Sequence, residues 1–187
     1  MKLVFLLEEK SMMAALEELL PRLLPSEVSW ICIAHKGKQD LDKSITRIIR
    51  RWTDPQAHFI VIRDQDSEPD CRALKQRLAD LCAAGGCVNP LIRIACCELE
   101  AWFLGDLIAV ERAMNSKGLA KRQSEVKFRD PDRLTGASQE LRILFPAYNK
   151  VKGAQAIAQH MNLENNCSKS FNAFVKGMRR LLQEAGF

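Results

Sequence analysis

Four short runs of the chain are almost continuously apolar: Lys2–Leu7, Val28–Ala34, His58–Arg63 and Leu91–Cys97. Each spans six or seven residues and is rich in Val, Ile, Leu or Cys. A strand with one wet face alternates apolar and polar residues, whereas a strand covered on both faces does not, so these runs predict buried parallel strands. Between them the apolar spacing becomes helical. Ser11 can N-cap a helix whose Met12, Ala15, Leu16, Leu19 and Leu20 form one stripe, stopped at Pro21 and Pro25. Asp40–Trp52 repeats the pattern with Leu41, Ile45, Ile48, Ile49 and Trp52, and Asp70–Ala84 follows, ended by Gly85-Gly86. The order β-α-β-α-β-α-β calls for a three-layer, Rossmann-like α/β sandwich with a mainly parallel sheet and right-handed crossovers.

From Glu98 onward no strand pattern appears. Leu99–Met114, Ser138–Phe145, Lys150–Met161 and Ser168–Ala185 read as helices. In the last, Phe171, Phe174, Val175, Met178, Leu181 and Leu182 fall at helical spacing, which is a core stripe rather than a base-stacking platform. Asn115–Ala137 reads as a basic, partly mobile loop. The expected organisation is an α/β core over residues 1–110 and a basic, helical extension over 111–187, packed together as one compact unit.

Charge sharpens this division. Residues 1–110 carry 14 Lys/Arg against 16 Asp/Glu, a net of −2, and residues 111–187 carry 14 against 7, a net of +7. Carboxylate chemistry beside an anion-attracting surface fits the asymmetry, and so do simple solvated faces. No run reaches the roughly 18 apolar residues of a membrane helix, and Leu3–Leu7 is too short for a secretory segment, so a cytoplasmic protein is expected. Seven cysteines without a C-x-x-C pair point to reduced, buried thiols. Three scattered histidines and no G-x-S-x-G argue against a zinc or serine hydrolase.

Ligands of open parallel sheets bind beyond the carboxyl ends of the strands. Three of the four strands end there in acids: Glu8-Glu9, Asp64-Gln65-Asp66 and Glu98-Leu99-Glu100. The second ends in the basic His35-Lys36-Gly37-Lys38. Residues i and i+2 of an extended segment point the same way, about 6.5–7 Å apart, so Asp64 can converge with Asp66, and Glu98 with Glu100 if the strand continues that far. Carboxylates so gathered repel one another unless cations sit among them, and hard oxygen ligands without His or Cys select Mg²⁺, Mn²⁺ or Ca²⁺.

A first strand ending in Glu and a later one ending in D-x-D resembles the Toprim domain of topoisomerases, primases and nucleases of the overcoming-lysogenization-defect type. Glu98-Leu99-Glu100-Ala101-Trp102-Phe103-Leu104-Gly105-Asp106 and the opening Phe5–Met12 resemble a Toprim-like bacterial family encoded beside AAA/ABC-type ATPases. Phe171–Arg179 resembles that family's terminal helix more loosely. The resemblance implies Glu8 as acid/base residue or metal ligand, Asp64 and Asp66 as ligands of Mg²⁺ or Mn²⁺, and Glu98 and Glu100 completing a catalytic site. It also implies an ATPase partner and a part in phage defence or DNA processing.

The leading expectation is therefore a metal-dependent nuclease or other phosphodiester-processing protein. Its nucleic-acid partner, DNA in the first instance, would be guided by Lys117, Lys121, Arg122, Lys150 and Lys152, with solvation as the plainer role for each lysine. A homodimer stays open, and no membrane partner is expected. The alternative is a non-catalytic module that binds metal or a partner. Glu9, where Toprim proteins place Gly, and Met12, where many relatives carry an acid, favour that alternative. A small-molecule phosphatase fits less well, because the aspartyl-nucleophile enzymes place D-x-D after the first strand.

Overall fold

The computed structural model describes all 187 residues. Its sheet is built from β1 (Lys2–Leu7), β2 (Ser29–Ala34), β3 (Ala57–Asp64) and β4 (Leu91–Ala95), all parallel, in the order β2-β1-β3-β4. Helices α1 (Lys10–Leu23), α2 (Lys38–Arg51) and α3 (Cys71–Ala84) make the crossovers. After β4 there is no further strand: α4 (Glu100–Leu104), α5 (Leu107–Ala113), α6 (Val126–Arg129), α7 (Ala137–Leu144), α8 (Lys150–Ala158) and α9 (Lys169–Glu184) complete the chain. The expected parallel α/β sandwich with a helical C-terminal part is the observed architecture.

Strand parity sorts the core. Val4, Leu6, Phe59 and Val61 face α2 and α3, meeting Leu41, Ile45, Leu74 and Leu78. Leu3, Phe5, Leu7, Ile60 and Ile62 face the other way, into a larger cluster with Met12, Leu16, Trp102, Phe171 and Phe174. Trp102 stacks on Phe174 with ring centroids 5.3 Å apart and meets Phe171 edge-on at 5.4 Å. The aromatic stripe of α9 is thus core, as its spacing requires. This cluster draws buried residues from Leu3 through Leu182, so α8 and α9 share the core of β1 and β3.

Four local expectations are corrected. Helix α1 runs through Pro21 to Leu23 and ends before Pro25, because a proline so near a C-terminus forfeits only one helical hydrogen bond. Its N-cap is Glu9, and Ser11 instead donates its hydroxyl to Glu9 Oε1 at 2.5 Å. The helix expected over Leu99–Met114 breaks at Gly105, where the Asn166–Ser168 segment packs too closely for a β-carbon. Asp106 then caps α5 by accepting from Ala109 N–H at 3.0 Å. Finally, Asn115–Ala137 is not a plain loop: 3-10 turns at Ala120–Ser124 and Pro131–Arg133 flank α6, anchored by buried Leu119, Phe128 and Pro131.

Candidate active site

Glu8 and Glu9 follow β1, and Asp64 is the last residue of β3. Parallel register pairs Leu7 with Ile62, which sets Glu8 level with Arg63 and Glu9 level with Asp64. The Glu8 carboxylate accepts a hydrogen bond from the backbone N–H of Asp64 at 3.0 Å, tying the two strand ends together. Burial raises the Glu8 carboxyl above its ordinary value; the Asp64 N–H bond works against this and the Asp66 charge adds to it.

Asp64 is buried, and its Oδ1 has no hydrogen-bond partner. Its carboxyl is held well above the usual carboxylate range, first by burial and then by the charges of Glu8, Glu100 and Glu9. Glu100, in the first turn of α4, is fully buried with both carboxyl oxygens unpartnered. Burial raises it too, and Lys150 partly offsets the shift.

One cation sits between Glu9 and Glu100. Lys150, the first residue of α8, places Nζ 3.2 Å from Glu9 Oε1 and 3.8 Å from Glu100 Oε1. Burial alone would lower its pKa, but Glu100 and Glu9 outweigh that and leave it raised. The Tyr148 hydroxyl, also buried, lies near Glu100 without a hydrogen bond of good geometry, and burial followed by the Glu100 and Glu9 charges drives its phenol upward. The ring sits against α8 at Gly153, where a β-carbon would collide with it.

On the α2 side of Glu8 lies a second charged group. The Arg63 side chain is buried, with Nη1 donating to both carboxylate oxygens of Asp42 at 3.0 and 3.2 Å. Its Nη2 lies 3.7 Å from Glu68 Oε1, and its Nε 3.9 Å from Glu8 Oε2. Arg63 thus anchors the outer flank of Glu8.

The other expected acids stand apart. Asp66 has a left-handed φ of 52°, so the extended geometry that would align it with Asp64 ends between them. Its carboxylate accepts from Lys38 Nζ at 3.0 Å, in a cleft of about 450 Å³ also lined by Cys97, Glu98 and Thr135. Strand β4 stops at Ala95 and Glu100 is helical, so Glu98 and Glu100 do not align along a strand. Glu98 instead accepts from the backbone N–H of Ser138 at 2.7 Å, at the start of α7. Asp106 is a structural cap that also accepts from Asn162 N–H at 2.8 Å.

Among the basic candidates, only Lys150 reaches the acids. Lys152 points to a groove lined by Met114, Phe145 and Ala156. Lys117 and Lys121 are exposed, and Arg122 donates to both oxygens of Glu125 at 2.7 and 3.1 Å. Glu9 and Tyr148 are the members that sequence reading missed. For Glu9, parity was the available signal: residues 3, 5, 7 and 9 share a face, the face of Asp64.

In donor chemistry the group suits a hard divalent cation: Asp64 Oδ1 and both Glu100 oxygens are buried carboxyl oxygens without partners. In placement, no three His, Cys, Asp or Glu side chains are gathered closely enough to hold a metal ion. The Lys150 ammonium supplies positive charge between Glu9 and Glu100. No helix is long and apolar enough to cross a membrane.

A family model described as a domain of unknown function (DUF4276) matches residues 7–179. No curated protein and no solved structure matches the chain.

Proposed function

The chain belongs to the DUF4276 family, and we propose that it is a Mg²⁺- or Mn²⁺-dependent phosphodiester hydrolase acting on nucleic acid at an Asp64–Glu100 centre, with Glu9 on the same face and Glu8 on the opposite, α2-facing side of the strand ends. The observation that carries this reading is the set of buried, unpartnered oxygens on Asp64 and Glu100 at the carboxyl ends of parallel strands. Buried carboxyl oxygens without donors are costly, and a cation among them would offset that cost. Asp64 and Glu100 would hold the cation, with Glu9 beside them. When bound, it would polarise a phosphoryl oxygen and lower the pKa of an attacking water.

The chain's own groups supply the rest. Lys150, on a separate helix, can turn its ammonium from Glu9 to a phosphate oxygen and stabilise charge that develops there. Tyr148 keeps its proton and is available as a donor. Asp66 and Glu98 line the adjoining cleft with Lys38, where flanking nucleotides would lie. The Toprim-like order of Glu8 and Asp64-Gln65-Asp66 supports a place among nucleases that work beside an AAA/ABC-type ATPase, in phage defence or DNA processing in the cytoplasm. That wider setting rests on the resemblance alone.

The test is cleavage of supercoiled plasmid, single-stranded DNA and RNA with Mg²⁺ or Mn²⁺, alone and with a co-expressed ATPase partner. The wild type should cut at least one substrate, and Asp64→Asn none. A second reading, a non-catalytic partner-binding module, draws on the seating of Lys150 among the acids. Under it, no substrate is cut in either setting.

A further inference from the structure

The outer side of β4 carries a cleft of about 640 Å³ with a marked surplus of positive charge. Arg72 and Lys75 come from α3, Arg93 from β4, Arg133 from the Pro131–Arg133 turn and Lys169 from α9. Of its two acids, Asp132 is engaged and Asp130 is so through Oδ2 alone, its buried Oδ1 having no partner. Asp130 lies 3.4 Å from Lys169 Nζ, and Asp132 accepts from the Ser168 hydroxyl at 2.6 Å and the Ser170 N–H at 2.7 Å. Arg93 spends part of its guanidinium on the Ala173 and Ile92 carbonyls. Arg72, Lys75 and Arg133 make no ion pair and no side-chain hydrogen bond, although they converge on one cleft from α3 and from the Pro131–Arg133 turn.

Its position gives this charge a use. β4 neighbours β3, whose end carries Asp64, so the flank of β4 lies about two strand spacings, roughly 10 Å, from that strand. The cleft holding Lys38 and Asp66 is lined by Cys97 and Thr135, and the basic cleft by their near neighbours in the chain, Cys96 and Arg133, so the two draw on the same segments. We propose that Arg72, Lys75 and Arg133 bind the phosphate backbone of a nucleic-acid strand that passes from the carboxylate centre over the end of β4. This inference rests on the nucleic-acid reading above and names its binding track. Such contacts are electrostatic and independent of base sequence. The track is an alternative to Lys117, Lys121 and Arg122 for that role: the first two line neither of these clefts, and Arg122 is already committed to Glu125.

The experiment is fluorescence anisotropy with a labelled single strand of about 20 nucleotides in EDTA, repeated over a range of salt. The triple variant Arg72→Ala/Lys75→Ala/Arg133→Ala should bind at least about tenfold more weakly, with a salt slope smaller by about two, near 0.7 per lost phosphate contact. The triple variant Lys117→Ala/Lys121→Ala/Arg122→Ala should stay within about twofold of wild type, and Arg72→Lys/Lys75→Arg/Arg133→Lys should retain binding. Unchanged circular dichroism checks that each variant folds. The inference is overturned if the wild type does not bind, if the cleft variant binds like wild type, or if the loop variant loses as much. Binding through the cleft by a protein that cuts nothing would sink the hydrolase reading and leave the track standing.

Discussion

Glu8 and Asp64 are joined by a hydrogen bond of 3.0 Å from the Asp64 backbone N–H to the Glu8 carboxylate, so the acid just beyond one strand holds the backbone at the end of its neighbour. The bond is buried and bridges residues 56 apart in sequence. It sets both carboxyls at the sheet's carboxyl end before any ligand arrives.

Glu8→Ala removes this acceptor and leaves a buried N–H unsatisfied. It should lower unfolding free energy by about 1–3 kcal/mol in urea titrations. Glu8→Gln keeps an acceptor, so it should fold nearly as stably while binding Mn²⁺ more weakly in calorimetry.

The raised carboxyls of Asp64 and Glu100 make stability depend on pH with a definite sign. In the unfolded chain both ionise near their ordinary values of about 4. Above that, the folded protein holds more protons than the unfolded one, so their contribution is full at low pH and lost as pH rises through the folded values. In EDTA, the melting temperature of wild type relative to Asp64→Asn should therefore fall as pH rises above the ordinary carboxylate value of about 4 toward the alkaline end. Adding Mg²⁺ near the upper end should stabilise wild type more than the variant, since a ligand that binds only the folded state shifts the equilibrium toward it. Parallel pH profiles for the two proteins would contradict the burial assigned to Asp64.

Lys150 is the one cation within 4 Å of Glu9 and Glu100. Lys150→Met keeps the apolar stem and removes the charge. Without metal near pH 8, the variant should melt lower than wild type, because the buried Glu100 and the half-buried Glu9 lose their counter-charge. It should bind Mn²⁺ several-fold more tightly, with the ammonium no longer competing for the same oxygens, and cleave poorly.

Gly153 sits where α8 crosses the Tyr148 ring, with no space for a β-carbon. Gly153→Ala should cost about 1–3 kcal/mol of stability through overpacking, read from denaturant midpoints. It should also weaken Mn²⁺ binding, because displacing Tyr148 disturbs the packing around Glu100.

The fold was legible because continuous apolar runs and helical stripes alternate with little interruption. β1 falls on the expected Lys2–Leu7, and the other strands differ by one or two residues at their ends. Part of the site was legible too, since chain topology brings Glu8 and Asp64 to one sheet edge. The rest turned on backbone geometry that residue types do not encode. A left-handed Asp66 turns D-x-D away from a shared face, and the end of β4 at Ala95 lets Glu100 enter a helix and point inward. Glu9 stood as a departure from a family pattern, although strand parity alone puts it level with Asp64. Lys150 and Tyr148 join through α8, more than 80 residues later, and no local pattern announces that contact.

The central claim is that the Asp64 and Glu100 oxygens are cation ligands. Anomalous diffraction from crystals soaked in Mn²⁺ tests it most directly. The account predicts an anomalous peak within bonding distance, about 2.0–2.3 Å, of Asp64 and Glu100, lost in Asp64→Asn crystals. Well-diffracting soaked crystals with no peak at these oxygens, and Lys150 still between Glu9 and Glu100, would contradict it.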